Sequence, residues 1–392
     1  MVKTADVVII GGGVIGVSIA YFLARRGFGR IVVLEQETIG AGSTGRSVAS
    51  IDLFSHHPAA VTLQARAYEI FSQFEEIFGA ECGLITTGLA VLAGPEQAAA
   101  LNQAAKLAEA AGITCQLLSP DEFARLEPAA VVDDLAVAYY APRGGYADPM
   151  LTTNAVVAAA RRAGVVIEQG CKVTHLRHAG GRVTGVDTPA GAVAAPVVVS
   201  AAGPWSKHLL KLFGLGDLGL YACEHPVISI QRPADFGPPH LSILDLPNQT
   251  YARPETGHLT LAGSMDRSVG YEAIEPENFH GQVTAAYTFW VAERLVQRYP
   301  ALEAGQLRQG WSGLMTISPD WQPVLGALPT VAGLYCATGF SGQGFKISPA
   351  VGDLMAGLIA GETEATQLLV PFRPSRFAEG QSLATSEFGA LG

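Results

Sequence analysis

The 392-residue sequence is poor in charged residues and in cysteine, and both shortages narrow the classes of protein it can belong to. Charged residues make up only 15% of the chain and apolar residues 49%, so a large buried core is feasible. Among the charges, 35 acidic residues outnumber 25 Lys and Arg, which gives a net charge of −10. This balance argues against a general binder of nucleic acids or anionic membranes, because both need a basic surface.

Cysteine is too scarce and too scattered for a metal site or a disulfide framework. The five cysteines are odd in number, lie far apart and form no Cys-x-x-Cys pair. This pattern predicts a reducing cytoplasmic environment and no bound metal.

An uninterrupted apolar run of membrane-spanning length is also missing. Residues 7–24 form an uncharged stretch of 18 residues, which approaches that length, but four glycines interrupt it. A phosphate-binding turn explains these glycines and a membrane helix does not. We therefore expect no membrane span.

Those glycines form the most informative motif of the chain. Gly11, Gly13 and Gly16 have the spacing G-x-G-x-x-G between an apolar strand and a predicted helix. In this motif the first glycine permits a tight turn, the second lets the backbone approach a pyrophosphate, and the third lets the helix pack on the strand. The amides at the helix start then face the phosphates. Glu35 ends a second strand, where its carboxylate can accept hydrogen bonds from a ribose, so we expect a bound ADP group.

Similar turns from strand to glycine recur near residues 203 and 339, whereas residues 226–320 contain more proline and more alternating strands. This pattern is typical of a dinucleotide-binding domain into which a second domain is inserted. The predicted cofactor domain comprises 1–85, 145–225 and 321–392, and the predicted substrate domain comprises 86–144 and 226–320.

Hydrophobic periodicity predicts the individual elements around these turns. Helices are expected at 62–78, 96–111, 151–163, 282–298 and 349–360, with a further helix beginning at the capping-box sequence 119–122. Strands are expected at 89–93, 165–169, 249–253 and 258–262, with a hairpin formed by 173–176 and 183–187.

Five segments together resemble the D-amino-acid oxidase family of FAD-dependent oxidoreductases, over nearly the whole chain. They are the N-terminal glycine motif with Glu35, Gly-Ser-Thr-Gly-Arg-Ser at 42–47, Ala-Ala-Gly-Pro-Trp at 201–205, residues 313–326, and Gly-Phe-Ser-Gly-Gln-Gly-Phe-Lys at 339–346. The last two segments are most similar to the branch of sarcosine oxidase, dimethylglycine dehydrogenase and the proline dehydrogenase β-subunit. The resemblance implies an α/β fold, with a glutathione-reductase-like, discontinuous FAD-binding Rossmann domain and a mixed β-sheet (α+β) substrate domain.

The resemblance also implies where FAD would bind. Val173 would contact adenine through a strand backbone, and the amides of the loop 339–346 would face the flavin and favour its reduced, anionic form. Some relatives attach the flavin to a cysteine, but the corresponding region 311–320 contains none, so we expect non-covalent FAD. The residues expected to hold the cofactor are Gly11, Gly13, Val14, Ile15, Gly16, Glu35, Ser43, Thr44, Arg46, Ser47, Val173, Ala202, Gly203, Trp205, Gly339, Gly342, Gln343, Gly344, Phe345 and Lys346.

Family relationships suggest the substrate side of the site as well. Lys346 and Tyr251 are the expected catalytic residues, with Lys346 binding the substrate carboxylate and Tyr251 facing the substrate. Arg253 lies on the same predicted strand and is a further candidate for substrate binding. Met315 stands where D-amino-acid and glycine oxidases place a carboxylate-binding arginine, which favours a secondary or N-substituted amine. Ser50 occupies a position where some relatives carry a histidine over the flavin.

The predicted function is oxidation of a C–N bond in an amino acid or secondary amine to an imine, by hydride transfer to flavin N5. The expected substrate is sarcosine-, glycine- or proline-like, and oxygen or another acceptor would reoxidise the flavin. The chain would act alone or as a homo- or hetero-oligomer. Two alternatives stay open: an FAD-dependent 2-hydroxyacid dehydrogenase, and the flavin-bearing β-type subunit of a heteromeric amine dehydrogenase complex.

Overall fold

The computed structural model describes residues 3–383, which form nineteen β-strands and ten α-helices. The strands are β1 (Val7–Ile10), β2 (Ile31–Leu34), β3 (Ser50–Ile51), β4 (Leu89–Ala93), β5 (Gln116–Leu118), β6 (Val137–Ala141), β7 (Gly145–Tyr146), β8 (Val166–Glu168), β9 (His175–Ala179), β10 (Arg182–Thr188), β11 (Gly191–Ala194), β12 (Val197–Ser200), β13 (Tyr221–Gln231), β14 (Ser242–Asp245), β15 (Thr250–Glu255), β16 (Leu259–Ser264), β17 (Gln306–Ile317), β18 (Val324–Ala327) and β19 (Leu334–Thr338). The helices are α1 (Val14–Arg25), α2 (Pro58–Ser72), α3 (Phe74–Phe78), α4 (Ala98–Ala110), α5 (Pro120–Leu126), α6 (Pro149–Arg162), α7 (Ser206–Leu212), α8 (Ala285–Arg298), α9 (Gly344–Ala360) and α10 (Thr363–Leu369).

A six-stranded sheet brings the three predicted glycine turns to one edge. Its strand order is β18-β19-β12-β1-β2-β8. All neighbours pair in parallel except β18 and β19, which are antiparallel. The loops that follow β1, β2, β12 and β19 therefore leave the sheet at their shared carboxyl edge, where open α/β sheets bind ligands.

The apolar sequence of β1 follows from burial of this sheet on both faces. Val7 and Ile9 pack in a cluster with residues of α1 and α9, whereas Val8 and Ile10 pack in a second cluster with β10 and β11. Because successive side chains of a strand point to opposite faces, a strand covered on both sides reads as a continuous apolar run.

The second large sheet has eight strands, in the order β17-β13-β16-β15-β14-β4-β6-β5. Only β4 and β14 are parallel; the other neighbours are antiparallel. Helix α8 covers one face through Tyr287, Val291 and Leu295, and α4 covers part of the other face. All eight strands come from residues 89–141 and 221–317, whereas the strands of the six-stranded sheet lie outside these ranges.

Several elements have the predicted position. Strand β4 has the predicted bounds, and β15 and β16 each lie within two residues of theirs. Helix α5 begins with the predicted capping box: Glu122 N donates to Ser119 Oγ at 3.3 Å, and Ser119 N donates to the Glu122 carboxylate at 2.8 Å. These elements depend on local sequence, which is why the sequence alone specifies them.

Three predicted elements differ from the structure. The helix predicted at 62–78 is divided at Gln73 into α2 and α3, and α2 begins early because His57 Nδ1 caps it by accepting from Ala59 N at 3.2 Å. Val173 is not in a strand, since β9 begins two residues later. Helix α9 begins at Gly344, five residues before the predicted start, because Pro349 lies inside the helix and does not begin it.

Two buried histidines couple the stability of the fold to pH. Desolvation lowers the pKa of His225 and of His240 from 6.5 to about 4. His240 is satisfied as a neutral ring, because Nδ1 donates to the Leu241 carbonyl at 2.6 Å and Nε2 accepts from Thr260 Oγ1 at 2.8 Å. Unfolding exposes both rings, which then take up protons below pH 6.5.

We therefore expect the free energy of unfolding to fall as the pH is lowered from 6.5 toward 4. Each histidine contributes up to about 1.4 kcal/mol per pH unit where it takes up a full proton on unfolding. His240→Gln removes one of these groups and should make the pH dependence shallower in urea denaturation. The exposed His178 provides a matched site for the same replacement, His178→Gln, outside the buried core. A wild-type slope in His240→Gln would contradict the burial of a neutral ring.

Candidate active site

A long cavity runs along the carboxyl edge of the six-stranded sheet and continues to the eight-stranded sheet. It is lined by the loops after β1, β2, β12 and β19 and by residues of β13, β14, β15 and β17. The empty space, counted to its open mouth, is about 2130 Å³. The loops after β2 and β19 are three strand spacings apart, or roughly 14 Å. The cavity is therefore long enough for an extended ligand.

In the turn after β1, the backbone of neighbouring residues lies so close to two glycines that a side chain would not fit there. Gly11 has φ +111°, and a Cβ there would lie 2.3 Å from the Ala201 carbonyl oxygen. A Cβ on Gly16 would lie 2.0 Å from the Gly11 carbonyl oxygen. Gly13 borders the cavity beside the Thr44 hydroxyl, which would be 3.2 Å from a Cβ at that position. Only glycine fits the first two positions without movement of the backbone.

The loop after β2 fixes the Glu35 carboxylate at the cavity wall. Glu35 Oε2 accepts from Gly12 N at 2.6 Å, and Oε1 accepts from Glu37 N at 2.8 Å. Val173 lines the cavity beside this carboxylate, and Cys171 N donates to the Glu35 carbonyl at 2.7 Å. The carboxylate is thus held in one orientation and can accept further hydrogen bonds from a ligand.

The segment 41–47 folds over the start of α1. Thr44 Oγ1 accepts from Val14 N at 3.1 Å, so this amide already has a partner in the protein. Arg46 turns back onto its own loop and donates to the carbonyls of Ala41 and Gly42. The Arg46 guanidinium therefore stabilises the loop, although its side chain also lines the cavity.

The first turn of α9 faces the cavity from the other side. Gln343, Gly344, Phe345 and Lys346 all line it, at the N-terminus of a 17-residue helix. The amides at a helix start have no partners within the helix and carry the positive end of its dipole. This end of α9 therefore favours negative charge in a bound ligand.

Lys346 is paired with a carboxylate that the sequence analysis missed. Lys346 Nζ lies 2.6 Å from Asp52 Oδ1, and both side chains are buried at the cavity wall. Asp52 directly follows β3, whereas Lys346 lies in α9. The cation predicted to bind a substrate is thus neutralised by the chain itself.

Tyr251 and His225 form a second polar pair that lines the same cavity. Tyr251 Oη and His225 Nε2 are 3.1 Å apart, and His225 Nδ1 lies 3.1 Å from the Gly270 carbonyl oxygen. A carbonyl only accepts, so Nδ1 carries the proton; the ring is neutral because burial lowers its pKa to about 4. Nε2 then accepts from the Tyr251 hydroxyl, whose pKa burial raises well above 10. The tyrosine ring has room because Gly263 lies opposite in β16, where a Cβ would be 2.3 Å from Oη.

Apolar side chains line the cavity around these polar groups. Met315 lies beside Gly342 and packs near Tyr271, and Leu244 and Met265 add to the wall. Ser50 lines the cavity from β3. The surroundings of both polar pairs are therefore of low polarity, which strengthens their electrostatic interactions.

The cavity contains nearly every residue predicted from sequence, with three exceptions. Gly16 and Gly339 lie behind it and act through packing and turn geometry. Arg253 is directed away, because Nε donates to the Val48 carbonyl at 2.7 Å and the guanidinium stacks on Tyr146 at 3.9 Å. The predicted role of Arg253 in substrate binding therefore does not agree with its position.

Sequence reasoning missed Asp52, His225, Tyr271, Leu244 and Met265, all of which line the cavity. The sequence does mark Asp52 as unusual, because it is the one charged residue within the segment 48–54. His225 lies inside a long strand and resembles any buried histidine. Its position depends on strand pairing that the sequence does not reveal.

The residues around the turn after β1 and the two helix starts are suited to binding a dinucleotide. The turn at Gly11 leaves no space for a Cβ, the Glu35 carboxylate is oriented beside it, and two helix N-termini face the same cavity. Fold and cavity together define a dinucleotide-binding protein. The chain belongs to the family described as FAD dependent oxidoreductase (DAO), which matches residues 6–358. The family resemblance predicted from the sequence is thus confirmed.

Comparisons with individual proteins agree with this family. The chain is 28% identical to mitochondrial sarcosine dehydrogenase of Mus musculus, over 90% of this chain and 39% of that protein. It is 29% identical to glycine oxidase of Geobacillus kaustophilus (strain HTA426), over 96% of this chain and 98% of that protein. The structure of L-proline dehydrogenase from P. horikoshii superposes with a TM-score of 0.89 at 25% identity, covering 98% of this chain and all of that one.

The chain spans about two fifths of the length of the first curated relatives it matches. The proline dehydrogenase and glycine oxidase comparisons confirm a mixed α/β fold similar to flavoenzymes of this family. Among residues 3–383, the structure contains no helix with the length and apolar character needed to cross a membrane.

The contact at Gly16 makes a testable prediction about the cofactor. Gly16→Ala places a methyl group against the Gly11 carbonyl, so α1 must move away from β1 and the turn must open. We expect the purified variant to lose most of its FAD, measured as flavin absorbance per protein. Gly216→Ala is the matched control, because nothing lies within 4 Å of a Cβ there. Full FAD content in Gly16→Ala would contradict the proposed packing role.

Proposed function

We propose that FAD lies along the cavity with its ADP portion between Gly11 and Glu35 and its flavin near the start of α9. The glycine turn and the oriented Glu35 carboxylate support the first part. The helix N-terminus at Gln343–Lys346 supports the second, since it favours the negative charge of a reduced flavin. When bound, FAD supplies the two-electron acceptor of the reaction.

We also infer that the two large sheets belong to two domains. The six-stranded sheet would form the discontinuous, glutathione-reductase-like FAD-binding domain at 1–85, 145–225 and 321–392, of which 1–2 and 384–392 lie outside the described residues. The eight-stranded sheet would form the substrate domain at 86–144 and 226–320. The sheet membership of the strands supports this division, although residues 221–225 at the start of β13 pair within the larger sheet.

We propose that the enzyme oxidises the C–N bond of an amino acid or a secondary amine to an imine. The observation that carries this proposal is that two polar pairs, Lys346 with Asp52 and Tyr251 with His225, line the same cavity as the start of α9. The cavity offers a cation for a carboxylate and acceptors for an amine. Sarcosine dehydrogenase, glycine oxidase and L-proline dehydrogenase are named for substrates of this kind.

Tyr251 would orient the amine. Because its hydroxyl proton is directed at His225 Nε2, the remaining lone pair of Oη is left to accept a hydrogen bond. An amine N–H is a suitable donor to that lone pair. The hydroxyl stays neutral, since burial raises the pKa of Tyr251 well above 10. Tyr251 therefore acts by position, and His225 acts through it by fixing the direction of the proton.

An anaerobic reduction screen tests the proposed function. We expect sarcosine, proline or glycine to bleach the flavin absorbance and 2-hydroxyglutarate to leave it unchanged. Bleaching by the hydroxy acid alone would instead establish the 2-hydroxyacid dehydrogenase alternative. Peroxide production by the isolated chain, compared with reduction of an artificial acceptor, separates an oxidase from a subunit that passes electrons to a partner.

Tyr251→Phe tests the orienting role within the same screen. It removes the hydrogen bond to His225 and the acceptor for the amine, while the ring still packs on Gly263. We expect FAD content to be retained and the reduction rate by the best amine to fall at least about tenfold, the scale of one lost hydrogen bond. Tyr299→Phe is the control, because Tyr299 is buried outside the cavity. Equal rates in both variants would contradict the role of Tyr251.

We further expect FAD to be bound non-covalently. Among residues 3–383, Cys171 is the only cysteine that lines the cavity, and it lies beside Glu35 at the proposed ADP end. Burial also raises the pKa of its thiol, which disfavours the reactive thiolate. Acid precipitation should therefore release all the yellow colour into the supernatant. A yellow protein pellet would contradict this expectation.

A further inference from the structure

The ion pair between Asp52 and Lys346 is an unusual feature for a substrate site. The cation expected to bind the substrate carboxylate is already paired with a carboxylate of the chain. The two groups are 294 positions apart in sequence and 2.6 Å apart in space. Both are buried, yet both border the cavity. Burial of two charges costs desolvation free energy, so such a pair is weak evidence for stability alone.

The remaining charges of the cavity lie elsewhere or are already engaged. Glu35, Glu37 and Lys172 line it around the loop after β2. Arg46 donates to two carbonyls of its own loop, and His225 is neutral. Among the described residues that line the cavity, Asp52 and Lys346 are therefore the carboxylate and the ammonium group that lie away from the loop after β2.

We propose that Asp52 and Lys346 together recognise a zwitterion, with Asp52 binding the substrate ammonium group and Lys346 its carboxylate. An α-amino acid carries these two charges on groups attached to the same carbon atom, so it can enter the pair and exchange partners with it. Each of the four charges then keeps an opposite neighbour, and none is left unpaired in a medium of low polarity. Asp52 is thus a specificity-determining residue.

The same geometry discriminates against a 2-hydroxy acid. Its carboxylate would compete with Asp52 for Lys346, but its hydroxyl carries no charge to compensate Asp52. A buried carboxylate deprived of its cation is costly, and it would repel the incoming carboxylate. This inference rests on the proposed function and refines it, because it assigns the choice between amino acids and hydroxy acids to Asp52.

Two ligands that cannot be oxidised test the proposal without turnover. 2-Aminoisobutyrate and 2-hydroxyisobutyrate both lack an α-hydrogen and differ only in an ammonium group against a hydroxyl. Their binding to the FAD-loaded protein is measured by calorimetry and by the perturbation of flavin absorbance. We expect the wild-type protein to prefer the amino acid. Asp52→Asn should weaken binding of the amino acid at least about tenfold. Binding of the hydroxy acid should stay equal or become tighter, since Lys346 then has no competing carboxylate.

Further variants separate recognition from stability. Asp353→Asn is the matched control: Asp353 bridges Arg26 at 2.9 Å and Arg66 at 2.6 Å outside the cavity, and its loss should not alter ligand preference. If Asp52→Asn does not retain FAD, the double variant with Lys346→Gln removes both charges together. It should bind both ligands weakly and without preference.

Several outcomes would overturn the proposal. They are a wild-type protein that binds neither ligand or prefers the hydroxy acid, an Asp52→Asn variant with unchanged preference, and a double variant that still prefers the amino acid. If amines reduce the flavin while Asp52→Asn keeps its preference, recognition by Asp52 fails and the proposed function stands. If no amine reduces the flavin, the proposed function fails, and the binding measurements still decide what Asp52 recognises.

Discussion

The close approach of α1 to the turn after β1 is the constraint on which the rest of the cavity depends. Gly16 touches the Gly11 carbonyl, so the N-terminus of α1 is held at the edge of the sheet. A second glycine extends this contact, because a Cβ on Gly352 of α9 would lie 2.6 Å from Ser18 Cβ of α1. Since α9 packs on α1 so closely, its own N-terminus is brought to the same cavity. Two small-residue contacts thus align two helix starts on one elongated cavity.

In the same cavity, the chain satisfies polar groups in pairs among apolar side chains. Asp52 pairs with Lys346, and Tyr251 pairs with His225. In such surroundings each unpaired group would be costly. A charged ligand group that bound to Asp52 or Lys346 would therefore replace an existing partner, so its affinity would reflect the difference between two sets of interactions.

The cavity-lining residues at the glycine turn and at Glu35 could be predicted from sequence, whereas several of those that line the cavity from the eight-stranded sheet could not. The motif at Gly11 and the acidic residue Glu35 act within one strand-helix-strand unit, so their spacing alone indicates their role. Asp52 meets Lys346 only through the tertiary fold, and His225 meets Tyr251 through β16, which lies between their strands. Arg253 shows the opposite error: its strand was predicted, but its guanidinium anchors the Val48 carbonyl and does not reach the cavity.

The contact between Tyr251 and Gly263 has a consequence for how the family can diversify. The two residues face each other across neighbouring strands, and the tyrosine ring occupies the volume that any side chain at 263 would need. Position 263 cannot gain a side chain while the tyrosine is present without displacing the ring from His225. Relatives that retain the tyrosine should therefore retain the glycine, whereas relatives with a smaller residue in its place are free to gain a side chain opposite. A side chain at 263 is therefore expected only where the tyrosine has already been replaced by a smaller residue.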